Sequence, residues 1–455
     1  MTTGTVTQRT FPAAVLVLLA GEFLAIFDVS VVNVILPTLR STFHVSGQTV
    51  YLVVAGYGLS YGSLLVLGGR LGDSFGFRRV FLVGAGIFGA ASLLCGLAPD
   101  FDLLIAARIA QGVGAALLFP QVLAGIRHMV PPRSQGRAMG SFGAILGLGS
   151  TLGQIGGGVL TQVNVASAGW RTAFLVNVPV CLLVVLLGRR VLPVTAAARH
   201  QLDLLGAVLL AATLTGLVLW VSHGGLSGVI VIAAAGLLVW WELRVRRFGR
   251  TPLLDFGLLR QPSFATGLVL CLTFFGTQVP FYVVLSQTAQ HRPGSGPLAA
   301  AELYAGLGVA FLVASVLAGR LDARWGAQGV LAGGLAMALS YLGLRLLSLS
   351  DLTPGVSVAD GLLVVNGLGA GLVAPTLIRY VLSEIAPESA GLASGLLSTA
   401  QQTANSVGVV VSGAIDALGA TVLAGFRLAL LYFCALICLC AALAVLSLWL
   451  RRKPG

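Results

Sequence analysis

FPAAVLVLLAGEFLAIFDVSVVNVILPTL, residues 11–39, decides the class of this chain. The stretch exceeds the roughly 20 apolar residues a helix needs to cross a hydrocarbon layer, yet it carries two acids, Glu22 and Asp28. An unpaired charge at such depth costs at least ~2.5–3.5 kcal/mol, so intramembrane acids normally mark transport or proton movement. The structural alternative is an acid that snorkels or pairs with a neighbouring helix. Residues 1–10 are short and polar and the first apolar run is already of spanning length, so no cleavable leader is expected.

Of 455 residues, 57% are apolar and 9% charged, and the mean hydropathy is +0.97. That balance leaves too little polar surface for a soluble fold. The apolar runs number fourteen: 13–36, 50–67, 80–97, 103–123, 138–160, 173–188, 204–221, 226–243, 264–285, 298–317, 330–347, 358–378, 392–414 and 428–450. They predict an all-α integral membrane protein of 14 transmembrane helices. Residues 1–190 form an N-terminal six-helix bundle, 191–260 an inserted two-helix linker with a cytoplasmic basic segment, and 261–455 a C-terminal six-helix bundle.

A net charge of +12 raises the question of a nucleic-acid partner, but the basic residues are not grouped as such a partner requires. With the amino terminus inside, Arg70, Arg78, Arg79, Arg127, Arg189, Arg190, Arg244, Arg246 and Arg247 all fall on the cytoplasmic side, whereas Arg40, Arg171, Arg292 and Arg427 fall outside. This asymmetry places both termini in the cytoplasm. The basic segment near Arg244–Arg260 is expected on the inner leaflet, attracted by anionic lipid. All six cysteines lie in apolar runs without metal-ligand spacing, and no Ser, Cys, His or acidic grouping matches a hydrolase or zinc enzyme. No enzyme activity, metal or organic cofactor is expected.

The chain repeats itself. An offset of 255 lays Gln111-Gly112-x-Gly114 on Asn366-Gly367-x-Gly369, Pro120 on Pro375, Gly153 on Gly408 and Gly158 on Gly413. An offset of 250 lays Gly69-Arg70-Leu71 and Gly76 on Gly319-Arg320-Leu321 and Gly326. Two pseudo-symmetric six-helix halves explain both echoes, and such parallel repeats place a substrate site between the halves near the midplane.

Residues 69–79, Gly-Arg-Leu-Gly-Asp-Ser-Phe-Gly-Phe-Arg-Arg, resemble the loop signature between helices two and three of the major facilitator superfamily. Gly69 and Gly76 permit a tight turn, while Asp73 can accept from a neighbouring helix end and pair with arginines such as Arg78 and Arg79. Together these residues form a candidate conformational latch. In the second half the Asp is displaced by one place, to Asp322. Arg108-x-x-Gln111-Gly112-x-Gly114 resembles the fourth-helix motif of proton-coupled members, and Arg108 lies at a depth that overlaps Asp28. Its second-half counterpart is Leu363, so the charge is not demanded by the packing the repeat shares. Gly149, Gly153, Gly157 and Gly158 resemble the antiporter-type glycines of the fifth helix, with Gln154 where Pro is usual. Asp28-x-x-Val31-Val32-Asn33-Val34-x-x-Pro37 and Gly169-Trp170-Arg171-x-x-Phe174-x-x-Asn177-x-Pro179 resemble the fourteen-span drug/proton antiporter branch.

The resemblance implies a multidrug exporter of the cell membrane, driven by inward proton flow, with the proton as coupling ion and a small lipophilic substrate. A monomer is expected. Glu22, Asp28 and Arg108 are the proton-coupling candidates. If Arg108 pairs with Asp28, Glu22 is the less compensated acid; if substrate displaces that pairing, Asp28 takes the proton instead. Six helical residues set the two acids about 120° apart, so they flank one wide cavity rather than share a stripe. Candidate cavity residues are Phe23, Phe27, Asn33, Gln111 and Gln154 in the first half, and Gln278, Tyr282, Gln401, Gln402 and Asn405 in the second. Polar groups of this kind either bond a neighbouring helix or face a cavity. A proton-coupled importer or narrow metabolite exporter would use the same fold and acids.

Overall fold

The computed structural model describes residues 11–163, 169–194, 203–248 apart from 224 and 226, 252, 257–292, 295–382 apart from 353 and 356, 385, and 390–451. The first half contains α1 (Phe11–Phe43), α2 (Gly47–Val50), α3 (Leu52–Phe75), α4 (Phe77–Leu97), α5 (Phe101–Met129), α6 (Pro132–Val163), α7 (Thr172–Leu175) and α8 (Asn177–Val191). The inserted pair is α9 (Leu204–His223) and α10 (Ser227–Arg247). The second half contains α11 (Pro262–Gln290), α12 (Pro297–Leu346), α13 (Val358–Leu382), α14 (Ala390–Ala417) and α15 (Val422–Arg451).

Among the described residues, twelve stretches are long and apolar enough to cross a membrane, and the chain is a multi-pass membrane protein. The two other expected spans, 138–160 and 392–414, are helical, within α6 and α14, but are not among the twelve. The α14 stretch is rich in glycine and polar residues, which lowers its apolarity without preventing helix formation, whereas part of 138–160 lies outside the described side chains. One helical run, α12, contains two spans, Pro297–Ala318 and Gln328–Leu346. It doubles back between them. Leu307 and Phe311 abut Gly367 and Gly371 of α13, while Gly333 and Met337 abut Gly369 of the same helix, which one straight helix cannot do.

The sequence repeat reappears as a repeat of contacts. A Cβ on Gly112 of α5 would strike the Tyr57 carbonyl of α3, and one on Gly367 of α13 would strike the Leu307 carbonyl of α12. A Cβ on Gly114 would lie 2.9 Å from the Gly84 carbonyl oxygen, and one on Gly369 would lie 2.5 Å from that of Gly333. Without side chains at these crossings the helix backbones approach closely, the usual means of joining helices in lipid.

Between the halves the contacts are reciprocal. Gly58 of α3 faces Ser406 of α14, and Gly308 of α12 faces Thr151 of α6. Likewise, Gly158 of α6 abuts Ala301 of α12, and Gly413 of α14 abuts the Tyr51 ring beside α3. Each pair maps onto the other by the offsets of 250 and 255 found in the sequence. Two equivalent seams, α3–α14 and α6–α12, therefore join the halves. Near the Tyr51 end Gln290 Nε2 also donates to the Val34 carbonyl at 2.8 Å, fastening α11 to α1.

Replacing Gly112 or Gly367 by Leu puts a side chain into a backbone crossing, and overpacking alone typically costs ~1–3 kcal/mol. Gly86, which has nothing within 4 Å of its Cβ position, is the control. Fluorescence-detected size exclusion is expected to show loss of the monodisperse peak for either crossing variant and retention for Gly86→Leu.

Candidate functional site

Asp28 and Arg108 meet inside the first half. Both are fully buried, and Arg108 Nη1 lies 2.5 Å from Asp28 Oδ2. Gln111 Nε2 and Asn177 Nδ2 each donate to Asp28 Oδ1 at 2.8 Å, so both carboxylate oxygens are bonded. Gln111 follows Arg108 by three residues on α5, which brings the two side chains onto one face. Its amide bonds both members of the pair: Arg108 Nη1 donates to Gln111 Oε1 at 2.5 Å, and Gln111 Nε2 also reaches Ser92 Oγ at 2.8 Å. Arg108 Nε donates to the Val53 carbonyl at 3.0 Å. Its guanidinium carbon stands 4.4 Å from the Tyr57 ring centroid and 5.8 Å from that of Phe174, positions at which an aromatic face attracts a cation. One small network thus ties together α1, α3, α4, α5 and α8.

Glu22 occupies another face of α1, as its angular separation from Asp28 requires. It is fully buried, and among the described residues neither of its oxygens has a hydrogen-bond partner. Tyr57 and Tyr61, one turn apart on α3, both lie within its electrostatic reach. Tyr57, whose ring also faces the Arg108 guanidinium, has a buried hydroxyl without a partner among the described residues. Both acids are fully buried.

A third face of α1 carries Phe23 and Phe27, stacked at 5.5 Å. Here the antiporter-type glycines find their use. Cβ atoms on Gly149, Gly153 and Gly157 of α6 would lie 3.3 Å from the Phe23 carbonyl oxygen, 2.6 Å from that of Phe27 and 3.0 Å from that of Val31. The stripe seats α6 directly on the α1 backbone. Gly158 points elsewhere, to the Pro297–Ala301 turn of the second half, with a Cβ position 2.7 Å from Ala301 Cβ. Helix α6 thus touches the acid-bearing helix on one side and the opposite half on the other.

The remaining candidates are dispersed. Asn33 and Gln154 are buried, and among the described residues their side-chain carbonyl oxygens and Asn405 Oδ1 have no partner. In the second half, Tyr282 and Gln278 make one long contact of 3.5 Å. Gln401 is half-buried, and Gln402 packs its Cβ against Gly62 of α3 in the seam. At the signature loop, Gly76 alone separates α3 from α4 with φ 85°, a conformation that favours glycine. Gly69 lies against Pro120 and Arg78 donates to the Arg189 carbonyl. Asp73 and Arg79 are exposed, and Asp73 makes no ion pair among the described residues. The side chain of Asp322 lies outside the described residues, as do those of Arg320 and Arg324.

Sequence reasoning missed Tyr57, Ser92 and Asn177 as members of the network. Asn177 was visible within the Gly169–Pro179 motif, and the Tyr57/Tyr61 spacing placed two hydroxyls on one face of an apolar helix. Ser92 carried no such signal. Arg171 of the same motif is structural, since it stacks 4.4 Å from Trp170 and donates to the Ala98 carbonyl, closing the end of α4.

Residues 18–409 match the model of the Major Facilitator Superfamily. The chain is 35% identical over 423 residues to the probable actinorhodin transporter of Streptomyces coelicolor, covering 89% of this chain and 72% of that protein. It is 37% identical to the cephamycin export protein CmcT of Amycolatopsis lactamdurans, covering 89% and 85%. It is 32% identical to the drug efflux pump JefA of Mycobacterium tuberculosis, covering 87% and 78%. Among solved structures, a bacterial homologue of the human lysosomal transporter Spinster, inward-facing and unoccupied, superposes with a TM-score of 0.69 at 16% identity, covering 97% of each chain. That likeness is one of fold.

Removing one partner of a buried ion pair costs ~3–5 kcal/mol, against ~1.5–3 kcal/mol for one hydrogen bond to a charged group such as that from Asn177 to Asp28. Thermal denaturation in detergent is expected to show a larger drop in melting temperature for Arg108→Ala than for Asn177→Ala. Equal drops would contradict the network as described.

Proposed function

This chain belongs to the Major Facilitator Superfamily, and from that membership and the buried acids we propose that it is a proton-coupled antiporter exporting lipophilic drugs or antibiotics. Its relatives named as exporters and efflux pumps support drug export. Proton exchange is supported above all by Glu22, a buried acid with neither oxygen bonded among the described residues. In this reading Glu22 carries the exchanged proton. Asp28 holds Arg108 in place and releases it when its own charge is neutralised or contested by substrate.

Helix α1 converts those charge changes into motion. Glu22 bears on α3, Asp28 on α5 and α8, and Phe23 and Phe27 on α6, so a change at either acid alters the seat of α1 among its neighbours. Because α6 touches α1 through its glycine stripe and the second half through Thr151 and Gly158, that change reaches the α6–α12 seam. Substrate enters from the cytoplasm against the aromatic wall of Phe23 and Phe27. Protons arriving from outside then lower its affinity, and loss of the proton inside restores it. The protein lies in the plasma membrane with both termini cytoplasmic, in keeping with the distribution of its arginines. It has fourteen spans, α6 and α14 included, and acts as a monomer.

Ethidium transport in everted vesicles, with and without an uncoupler, tests the coupling. Glu22→Gln and Asp28→Asn are each expected to lower gradient-driven transport by an order of magnitude or more while the protein remains in the membrane. Glu22→Gln is expected to leave thermal stability near wild type, since no hydrogen bond from Glu22 to the described residues is lost. Wild-type transport by the double amide variant would refute proton exchange at these acids.

A further inference from the structure

At the end of the helices assigned above to the outside, a polar cavity of ≈ 130 Å³ lies between Arg40 of α1, Gln287, Thr288 and His291 at the close of α11, and Asp416 at the close of α14. One cation comes from the first half; the acid and the other cation come from the second. None of these residues belongs to the Asp28 network. The cavity stands over a closed junction, because Gln290 Nε2 reaches the Val34 carbonyl and the Tyr51 ring abuts Gly413. Gly413 precedes Asp416 by three residues, so the face of α14 that bears the acid is turned to the first half.

Asp416 is poorly provided for in this arrangement. Its Oδ1 is shielded from solvent and has no partner among the described residues, and it lies 2.7 Å from the point where a Cβ on Gly425 of α15 would stand. Gln287, 6% exposed, likewise has an Nε2 without a partner among the described residues. Neither Arg40 nor His291 forms an ion pair with the acid among the described residues. His291 Nδ1 is instead 2.7 Å from the Gln287 carbonyl oxygen, and Arg40 Nη1 lies 3.5 Å from the Cβ position of Gly47 in α2. Tyr51 beside α3 also titrates, whereas α2 and the turn at 418–421 carry no titratable side chain. Arg427 of α15 is turned to the Leu347 carbonyl at 3.2 Å.

A carboxylate oxygen with neither water nor a donor disfavours the charged form, and a nearby cation opposes that. Here both cations stand across a cavity. Burial therefore wins: it pushes the Asp416 carboxyl, two residues beyond the span 392–414, up to about 6, although His291 and Arg40 pull it down. Parting of the halves at this end would open the cavity to water and return the acid to the ordinary carboxylate range. A proton thus binds the closed arrangement more tightly than the open one, and by linkage it favours closure. That preference is complete below the ordinary carboxylate range and is lost as pH rises through about 6.

We propose that Asp416 is the positioning residue of a pH-sensitive outer gate: ionised, it favours parting of α14 from α1 and α3, and neutralised by an external proton it favours their closure. In the proposed export cycle drug leaves through this end, and the more acidic outside then shuts the gate behind it. This rests on the alternating exposure of the two ends, and not on which acid of α1 carries the exchanged proton.

Double electron-electron resonance on the full-length protein in nanodiscs reads the gate directly. Spin labels go on Thr42→Cys at the end of α1 and on Leu418→Cys just after α14, both exposed, in a background lacking the native cysteines. From about pH 5 to about pH 7.5 the ratio of long to short distances is expected to rise severalfold in the otherwise wild-type protein. Asp416→Asn, which mimics the protonated acid, is expected to keep the short distance dominant across this range. His291→Gln retains the acid and is expected to retain the rise. Repeating the comparison in Glu22→Gln separates the gate from proton exchange at α1, because the Asp416 effect is expected whether or not Glu22 carries the exchanged proton. A wild type that does not respond to pH, an Asp416→Asn variant that opens as the wild type does, or a rise lost with His291→Gln would each overturn the proposal. Should Asp416→Asn fail to accumulate, Arg40→Gln takes its place. Without that cation the opening is expected to move to higher pH, and an unmoved transition overturns the gate.

Discussion

The ion pair between Asp28 and Arg108 constrains everything around it. Neither residue is exposed, and a charge of either sign left alone at that depth would destabilise the bundle by several kcal/mol. The surrounding side chains therefore saturate the carboxylate: Arg108 takes one oxygen, and Gln111 and Asn177 share the other. The arginine keeps further ties to the Val53 carbonyl, to Gln111 and to the Tyr57 ring. Neutralising Asp28 would remove the counter-charge but leave those ties, so Arg108 has somewhere to remain while α1 is released. A pair bonded in this way can be opened and remade, which a bare buried charge cannot.

Pseudo-symmetry and chemistry separate cleanly along the chain. Glycine crossings, seam contacts and helix order are duplicated between the halves, and these carry the fold. The charges are not. Where Arg108 stands in α5, the equivalent residue of α13 is Leu363, fully buried in the second core. Polar groups on α11 and α14, such as Gln278 and Asn405, take the place of ions in that half. Motion is thus built into a symmetric frame, while the proposed proton chemistry belongs to one side of it.

Much of this was readable from residue order alone. Spans were legible because lipid imposes length and apolarity, and the repeat was legible because backbone crossings accept only glycine. The Asp28–Arg108 meeting followed from counting residues down each helix. What escaped was lateral. Depth along a helix is written in one dimension, but the neighbour a side chain faces depends on packing, so Tyr57, Ser92 and Asn177 emerged only with the fold. In α6 the glycines read as an antiporter motif prove to be the surface on which α1 rests. Asp73, expected to accept from a neighbouring helix end and pair with arginines, is exposed.

In the proposed cycle, drug binding and protonation are linked at Glu22 and Asp28. The most direct measurement is proton release on addition of ethidium to purified protein in lightly buffered detergent, followed with a pH indicator. Binding is predicted to release protons from the wild-type protein, and this release is predicted to vanish in Glu22→Gln while ethidium still binds. Undiminished release from a variant carrying both Glu22→Gln and Asp28→Asn would contradict the assignment of proton exchange to this helix.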